Sequence, residues 1–335
     1  LLNARDWQTL AGAPDLAAAL AHLGTTAYGP ALDAAAAQSD SLPSLRTIEH
    51  VCSSDLANDM ANIGRFVHGA AFDLLSALTE RFELLNVKKV LRRLSQPERR
   101  EHHLTLNSYD CSLFALVPPQ QWDECKTPAD VGRVLSHTYF AEPFRLGLAS
   151  FGESHDLLRF EGGLEKAYYD TLLARVEALV DVQPGLVHRI VNLYFDEQCF
   201  NVIARLRFSY GWEGSAILPL LPWRGCTHLT ERRFWELAAL RSEAELVAAL
   251  YALVGWPPPA EASMQTLTLR LRQARLAACR RAFLRASPLS VAPMVAFFFM
   301  KSQELADLIS ILQTKRFSMP VDLAQFARAA QVLAA

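Results

Sequence analysis

The chain has 335 residues, 51% hydrophobic and 20% charged, and its 33 Lys+Arg nearly balance 35 Asp+Glu for a net charge of -2. That is ample apolar material for buried cores and for two or three domains, while 15 Gly and 17 Pro are too few for a long disordered or collagen-like stretch. The charge balance excludes a wholesale basic surface, so no nucleic-acid partner is expected.

In chain order, the predicted elements are almost all helical. The run opens without an initiator Met or a charged-then-apolar leader, and a clipped start is expected. Asp15-Leu-Ala-Ala-Ala-Leu follows Pro14 and reads as a helix start, with the acid at the positive end of the helix dipole. Leu84, Val87, Leu91 and Leu94 form a stripe at helical spacing. The segment 102–110 alternates in part but is too short to build a sheet, and its adjacent His102 and His103 point different ways and make a poor metal clamp. Asp130-Val-Gly-Arg-Val-Leu repeats the helix-start pattern. Leu164, Tyr168, Leu172, Val176, Leu179 and Val180 form a second stripe, and Phe195, Cys199, Val202, Ile203 and Leu206 a third. Residues 215–223 are a short apolar run broken by Pro219 and Pro222. Glu245-Leu-Val-Ala-Ala-Leu is the third copy of the helix-start pattern.

Between Arg270 and Arg285 lie six arginines and no acid. Arg270, Arg281 and Arg285 share one helical face and are the candidate partner contact, against the plainer reading of a solvated face whose long stems cover apolar neighbours. The longest apolar stretch, 289–300, is interrupted by Ser290 and Pro293 and falls short of the roughly twenty residues a spanning helix needs, so no transmembrane segment is expected. Phe297-Phe298-Phe299 cannot all face one side and suits a helix buried on several sides. Leu305, Leu308, Ile309 and Leu312 complete the stripes. The fold class is all-α.

Two patterns recur in the same order. The three helix-start acids stand 115 residues apart each time, at 15, 130 and 245. Glu83/Asn86, Gln198/Asn201 and Glu304/Asp307, each three residues apart on a striped helix, follow those acids by 71, 71 and 62 residues to the second member. Each is followed by a breaker, Pro97, Gly211 or Pro320. The recurrence implies three helical lobes, 1–110, 111–228 and 229–335. Glu83, Asn86, Gln198, Asn201, Glu304 and Asp307 are repeat-motif residues expected to act structurally, hydrogen-bonding open backbone groups of neighbouring helices and fixing their register.

Leu2-Asn3-Ala4-Arg5 resembles the N-terminal signature of the C subunit of V-type and archaeal-type ATPases, the homologue of the eukaryotic d subunit. The last lobe is similar to that family's closing motif: Lys301-Ser-Gln-Glu304-Leu-Ala-Asp307-Leu308-Ile-Ser-Ile311, then Lys315 and Pro320, with Asp307 for the usual Asn. Trp7 stands where the family has a second nearby Arg. The resemblance implies a funnel-shaped, all-helical subunit of three pseudo-symmetric lobes. It implies a non-catalytic central-stalk part on the cytoplasmic face of the membrane, joining the rotor shaft (subunits D and F) to the proteolipid ring and carrying torque for proton or sodium transport.

Read independently, the sequence lacks the Gly-rich phosphate loop, the dinucleotide fingerprint, the nucleophile elbow and the zinc-protease helix motif. No nucleotide binding, catalytic residue, metal or cofactor is expected. Six widely spaced cysteines read as reduced thiols. The alternatives are a free helical-repeat scaffold, whose usual repeats are shorter, and an all-helical enzyme with an unrecognised pocket.

Overall fold

The computed structural model describes residues 1–37, 43–95 and 108–334 and contains, among them, helices and irregular segments but no strand. Short helices α1 (Ala4–Gly12), α2 (Leu16–Leu23) and α3 (Gly29–Ala36) lead into the long α4 (Leu45–Gly64), which turns through 65–69 into α5 (Ala70–Thr79) and α6 (Arg81–Ser95). Short helices α7 (Pro119–Glu124), α8 (Pro128–Val134) and α9 (Ala141–Ser154) lead into α10 (Leu157–Glu177), which turns through 178–183 into α11 (Pro184–Ala204). Then α12 (Gly214–Ile217), α13 (Glu231–Ala238) and α14 (Glu243–Leu253) lead into α15 (Met264–Arg285), which turns through 286–291 into α16 (Ala292–Arg316), with α17 (Ala327–Leu333) last. Short helices followed by a long hairpin thus run three times along the chain.

The helix starts explain part of the sequence pattern. Asp15 is itself the N-cap of α2 and accepts from Ala18 N at 2.8 Å. Asp130 and Glu245 sit one turn inside their helices, behind the caps Thr127 and Ser242, and reach back to the backbone N–H groups of Thr127 at 2.9 Å and Arg241 at 3.0 Å. The aligned acids therefore act at the helix start from two positions: Asp15 accepts an N–H of the first turn, while Asp130 and Glu245 reach back to N–H groups at or just before the cap. A finer recurrence follows α2 and α8. Thr26 Oγ1 donates to Leu23 O and accepts from Tyr28 N, and Thr138 Oγ1 donates to Leu135 O and accepts from Phe140 N.

The three hairpin turns lie together at one end. Asp73 of α5 pairs with Arg175 near the end of α10 at 3.7 Å. Asp181 accepts from Ser290 Oγ at 2.8 Å and Val291 N at 2.7 Å, and Gln183 accepts from Ser287 N at 2.7 Å, tying the second turn to the third. Lys301 and Asp55, each a similar distance from its helix's turn end, approach to 3.9 Å and align α16 antiparallel to α4. Because α11 and α16 both start at this end, Tyr210 and Phe317 mark the opposite one. Val180, which falls on the second apolar stripe, lies beyond the end of α10 and is 90% exposed.

Buried apolar side chains form two clusters. One gathers α1–α10, the first half of α11, the second half of α15 and α16. The other gathers Cys199–Leu206, α13, α14 and the start of α15. Where α11 and α15 pass from one to the other, Glu197 accepts from Arg272 Nε at 2.7 Å and pairs with Arg275. Burial alone pushes the Glu197 carboxyl up, but the Arg275 and Arg272 guanidiniums overcome it and hold the carboxyl below its ordinary value. Phe298 and Phe299 are buried and Phe297 is half-buried, as befits a helix enclosed on several sides.

Removing one partner of this pair leaves a charge stranded in the interior. Glu197→Gln is expected to lower stability by about 3–5 kcal/mol, and Glu197→Leu with Arg275→Met by much less, both read by urea denaturation. Equal losses in the two variants would show that the pairing is not what matters at this crossing.

Candidate functional site: polar helix junctions and two exposed ends

The polar side chains buried along α6, α11 and α16 hold each long helix to the segment that follows or closes it. On α6, Glu83 accepts from Trp122 Nε1 and Leu116 N, both at 3.2 Å, and from Asn86 Nδ2 at 3.3 Å. Asn86 accepts from Tyr109 N at 2.8 Å and donates to Tyr109 O at 2.9 Å. Both residues are almost fully buried. The two together fasten α6 to the connection that leads into α7 and to α7 itself.

On α16, Glu304 accepts from Leu2 N at 2.8 Å and from Tyr28 Oη at 2.7 Å, with Arg328 Nε 4.0 Å away. Asp307 accepts from Gln303 Nε2 at 2.8 Å and from the Arg328 backbone N–H. These two partners of Asp307 are donors, which suits a carboxylate. Asn86, in the corresponding role, must donate as well as accept, which suits an amide. Lys315 Nζ donates to Ala11 O and Ala13 O at 2.5 and 2.6 Å. Lys301 Nζ lies 4.1 Å from the Tyr28 ring centre. The N-terminal signature acquires its physical meaning here: Leu2 offers its amide to Glu304, and Asn3 caps α1 in a reciprocal pair with Asp6.

On α11 the half-buried Gln198 accepts from Tyr169 Oη at 3.2 Å, and Asn201 donates to Glu197 O and accepts from Thr268 Oγ1, both at 2.9 Å. The fully buried residue that holds the following segment is Asp196, which accepts from His228 N at 3.1 Å and meets His228 Nδ1 at 2.7 Å. Asp196, Glu197 and His228 escape a search for residues three apart. The available signal is two adjacent acids inside the largely apolar run 190–200.

The arginines of α15 divide. Arg272 and Arg275 turn inward to Glu197. Arg270, near the start of the helix, donates to Pro257 O at 2.8 Å and lies over the Tyr251 ring. Arg281 and Arg285 are exposed in the last turns. The structure thus keeps Arg281 and Arg285 together and separates Arg270 from them by most of the helix. His102 and His103 lie outside the described residues, as does Pro97.

Exposed apolar side chains mark both ends of the long helices. At the turn end are Phe66 (85% exposed), Val180, Val182, Leu284 and Leu289 (82%), and at the opposite end Tyr210, Phe317 (71%) and Met319. A cleft of 370 Å³ between α7 and α8 is lined by Gln121, Glu124, Cys125, Asp130, Arg133 and Val134. Its Asp130 carboxylate is committed to the Lys126 and Thr127 backbone N–H groups and to Arg133. Among the described residues, no group of three or more His, Cys, Asp or Glu side chains could hold a metal ion, and no helix is long and apolar enough to cross a membrane.

Buried polar groups fasten the helices to one another, and apolar side chains stand exposed at the two ends of the long helices. A sequence profile described as ATP synthase (C/AC39) subunit matches residues 1–325, and the chain belongs to that family. It is therefore a subunit of a rotary V/A-type ATPase, in a family of peripheral accessory subunits. No curated protein matches the chain.

Two outcomes are expected at the junctions. Burial, opposed by the hydrogen bonds from Asn86 and Trp122, pushes the Glu83 carboxyl up to about 7 from 4.5. The folded chain thus binds this proton more tightly than the unfolded chain. Its contribution is complete below pH 4.5 and is lost as the pH rises through 7. Relative to Glu83→Gln, the parent chain should lose about 3 kcal/mol of stability across that window. A difference that stays flat with pH would show that Glu83 keeps an ordinary pKa. Glu304→Ala leaves Leu2 N and Tyr28 Oη without their acceptor and should destabilise by about 3 kcal/mol, with faster hydrogen exchange in α1 and around Tyr28. Unchanged exchange there would rule out the clasp.

Proposed function

We propose that this chain is the central-stalk connector of its rotary ATPase. It is a non-catalytic rotor part on the cytoplasmic face of the membrane, seated between the shaft, subunits D and F, and the proteolipid ring. It transmits torque between ATP turnover and proton or sodium transport. The reading includes three pseudo-symmetric lobes, 1–110, 111–228 and 229–335, in a funnel. The threefold order of short helices and long hairpin, and the paired Thr26 and Thr138 turns, support it.

The observation that carries the proposal is the clasp of α16 on the chain's first residues, through Glu304, Lys301 and Lys315. A coupler needs stiffness between its two contact surfaces, and close-packed helices closed on themselves supply it. The exposed apolar side chains at both ends fit a body held from two sides. Arg281 and Arg285 belong, in this reading, to the end that faces the membrane sector, and Arg270 borders the other half of α15.

Tagged and expressed in the cells it comes from, the chain should co-purify with the nucleotide-binding head and the proteolipid ring, and its deletion should leave head and ring assembled apart. Recovery alone, or only with soluble proteins outside any ATPase, would overturn the proposal in favour of a free helical scaffold.

A further inference from the structure

The turn end combines two features that a surface facing only water does not need. The first is apolar tips on all three turns: Phe66 on the first at 85% exposure, Val180 and Val182 on the second at 90% and 58%, and Leu289 on the third at 82%, with Leu284 beside it at 74%. The second is charge. Residues 60–70, 175–190 and 280–290 hold six arginines against two acids, Glu177 and Asp181, on a chain whose net charge is -2. Asp181 is taken up by Ser290 and Val291, and Arg175 by Asp73. What stands exposed is Arg65, Arg189, Arg280, Arg281 and Arg285, with Glu177 the one exposed acid in these segments.

We infer that the turn end docks directly on an anionic phospholipid surface. It does so by inserting its apolar tips below the headgroups while the arginines pair with lipid phosphates. The charge pattern selects an anionic partner. The form of the apolar contact selects a fluid one. The tips are single side chains standing out from three separate turns, whereas the core of a protein interface is a continuous, close-packed patch. A lipid interface accepts separate protrusions, each burying its own apolar area at the headgroup boundary. The hydrogen bonds that Asp181 and Gln183 accept from the third turn hold the second and third sets of tips in a fixed arrangement. The inference goes beyond the connector reading, since it concerns lipid and needs no other subunit.

The test uses the full chain alone, floated with phosphatidylcholine vesicles and with mixed phosphatidylcholine–phosphatidylglycerol vesicles. Binding is expected to the mixed vesicles only and to weaken with added salt. Arg281→Glu with Arg285→Glu should cut the partition coefficient by on the order of tenfold or more. Leu284→Ser with Leu289→Ser, and Phe66→Ser, should each cut it severalfold, while Phe317→Ser at the opposite end should leave it unchanged. These side chains are exposed, and helical circular dichroism confirms that each variant is folded. No flotation with either vesicle, or flotation that ignores all the turn-end changes, overturns the inference. So does binding that appears only when a reconstituted proteolipid ring is present, which would assign the face to a protein partner. The connector reading is judged separately, by co-purification of the same variants with the ATPase.

Discussion

The body depends on a contact that spans nearly its whole sequence: the Glu304 carboxylate, fully buried, taking the Leu2 amide and the Tyr28 hydroxyl. A buried carboxylate must be paired or hydrogen-bonded, and each of its oxygens has one donor here, with Arg328 nearby. Burial and the adjacent carboxylate in turn push the Tyr28 phenol far above its ordinary range, so Tyr28 remains a donor at any physiological pH. The first helix, the last long helix and the closing segment are thereby fixed to one another. The same logic recurs at Asn86 and Asp196, each of which takes the backbone N–H of the segment that follows its helix. These polar groups, which tolerate few arrangements, help to fix the rotation of the helices that carry them.

Much of this was legible in the residues. Helical spacing and the lack of a sheet-forming run pointed to an all-α chain. Leu2-Asn3-Ala4-Arg5 and the Lys301–Lys315 motif pointed to the family, and their two halves turn out to touch each other through Leu2 and Glu304. Pro320 and Gly211 mark breaks because local chemistry decides where a helix stops; Gly211, with φ at 70°, follows the π-helical turn 205–209 that extends α11.

What stayed hidden depended on partners far away in sequence. The six arginines of α15 look alike in one dimension, and nothing near them says that Arg272 and Arg275 will turn toward Glu197, some 75 residues earlier. On α11 the eye settles on Gln198 and Asn201 because they repeat a spacing, while Asp196 and Glu197 do the deeper work. Val180 continues an apolar stripe by number, yet α10 ends before it, and an exposed turn residue keeps the spacing of a core one. A pattern can show which residues share a helix face. It does not show where the helix ends or which distant group comes to meet it.

The clasp also has a mechanical meaning. The first hairpin is joined to the second, and the second to the third, by polypeptide as well as by packing. Between the last hairpin and the first, non-covalent contacts such as Glu304–Leu2, Lys315–Ala11 and Lys301–Asp55 cross the seam. A twist applied to the body would load that seam in shear without a covalent link to share the strain.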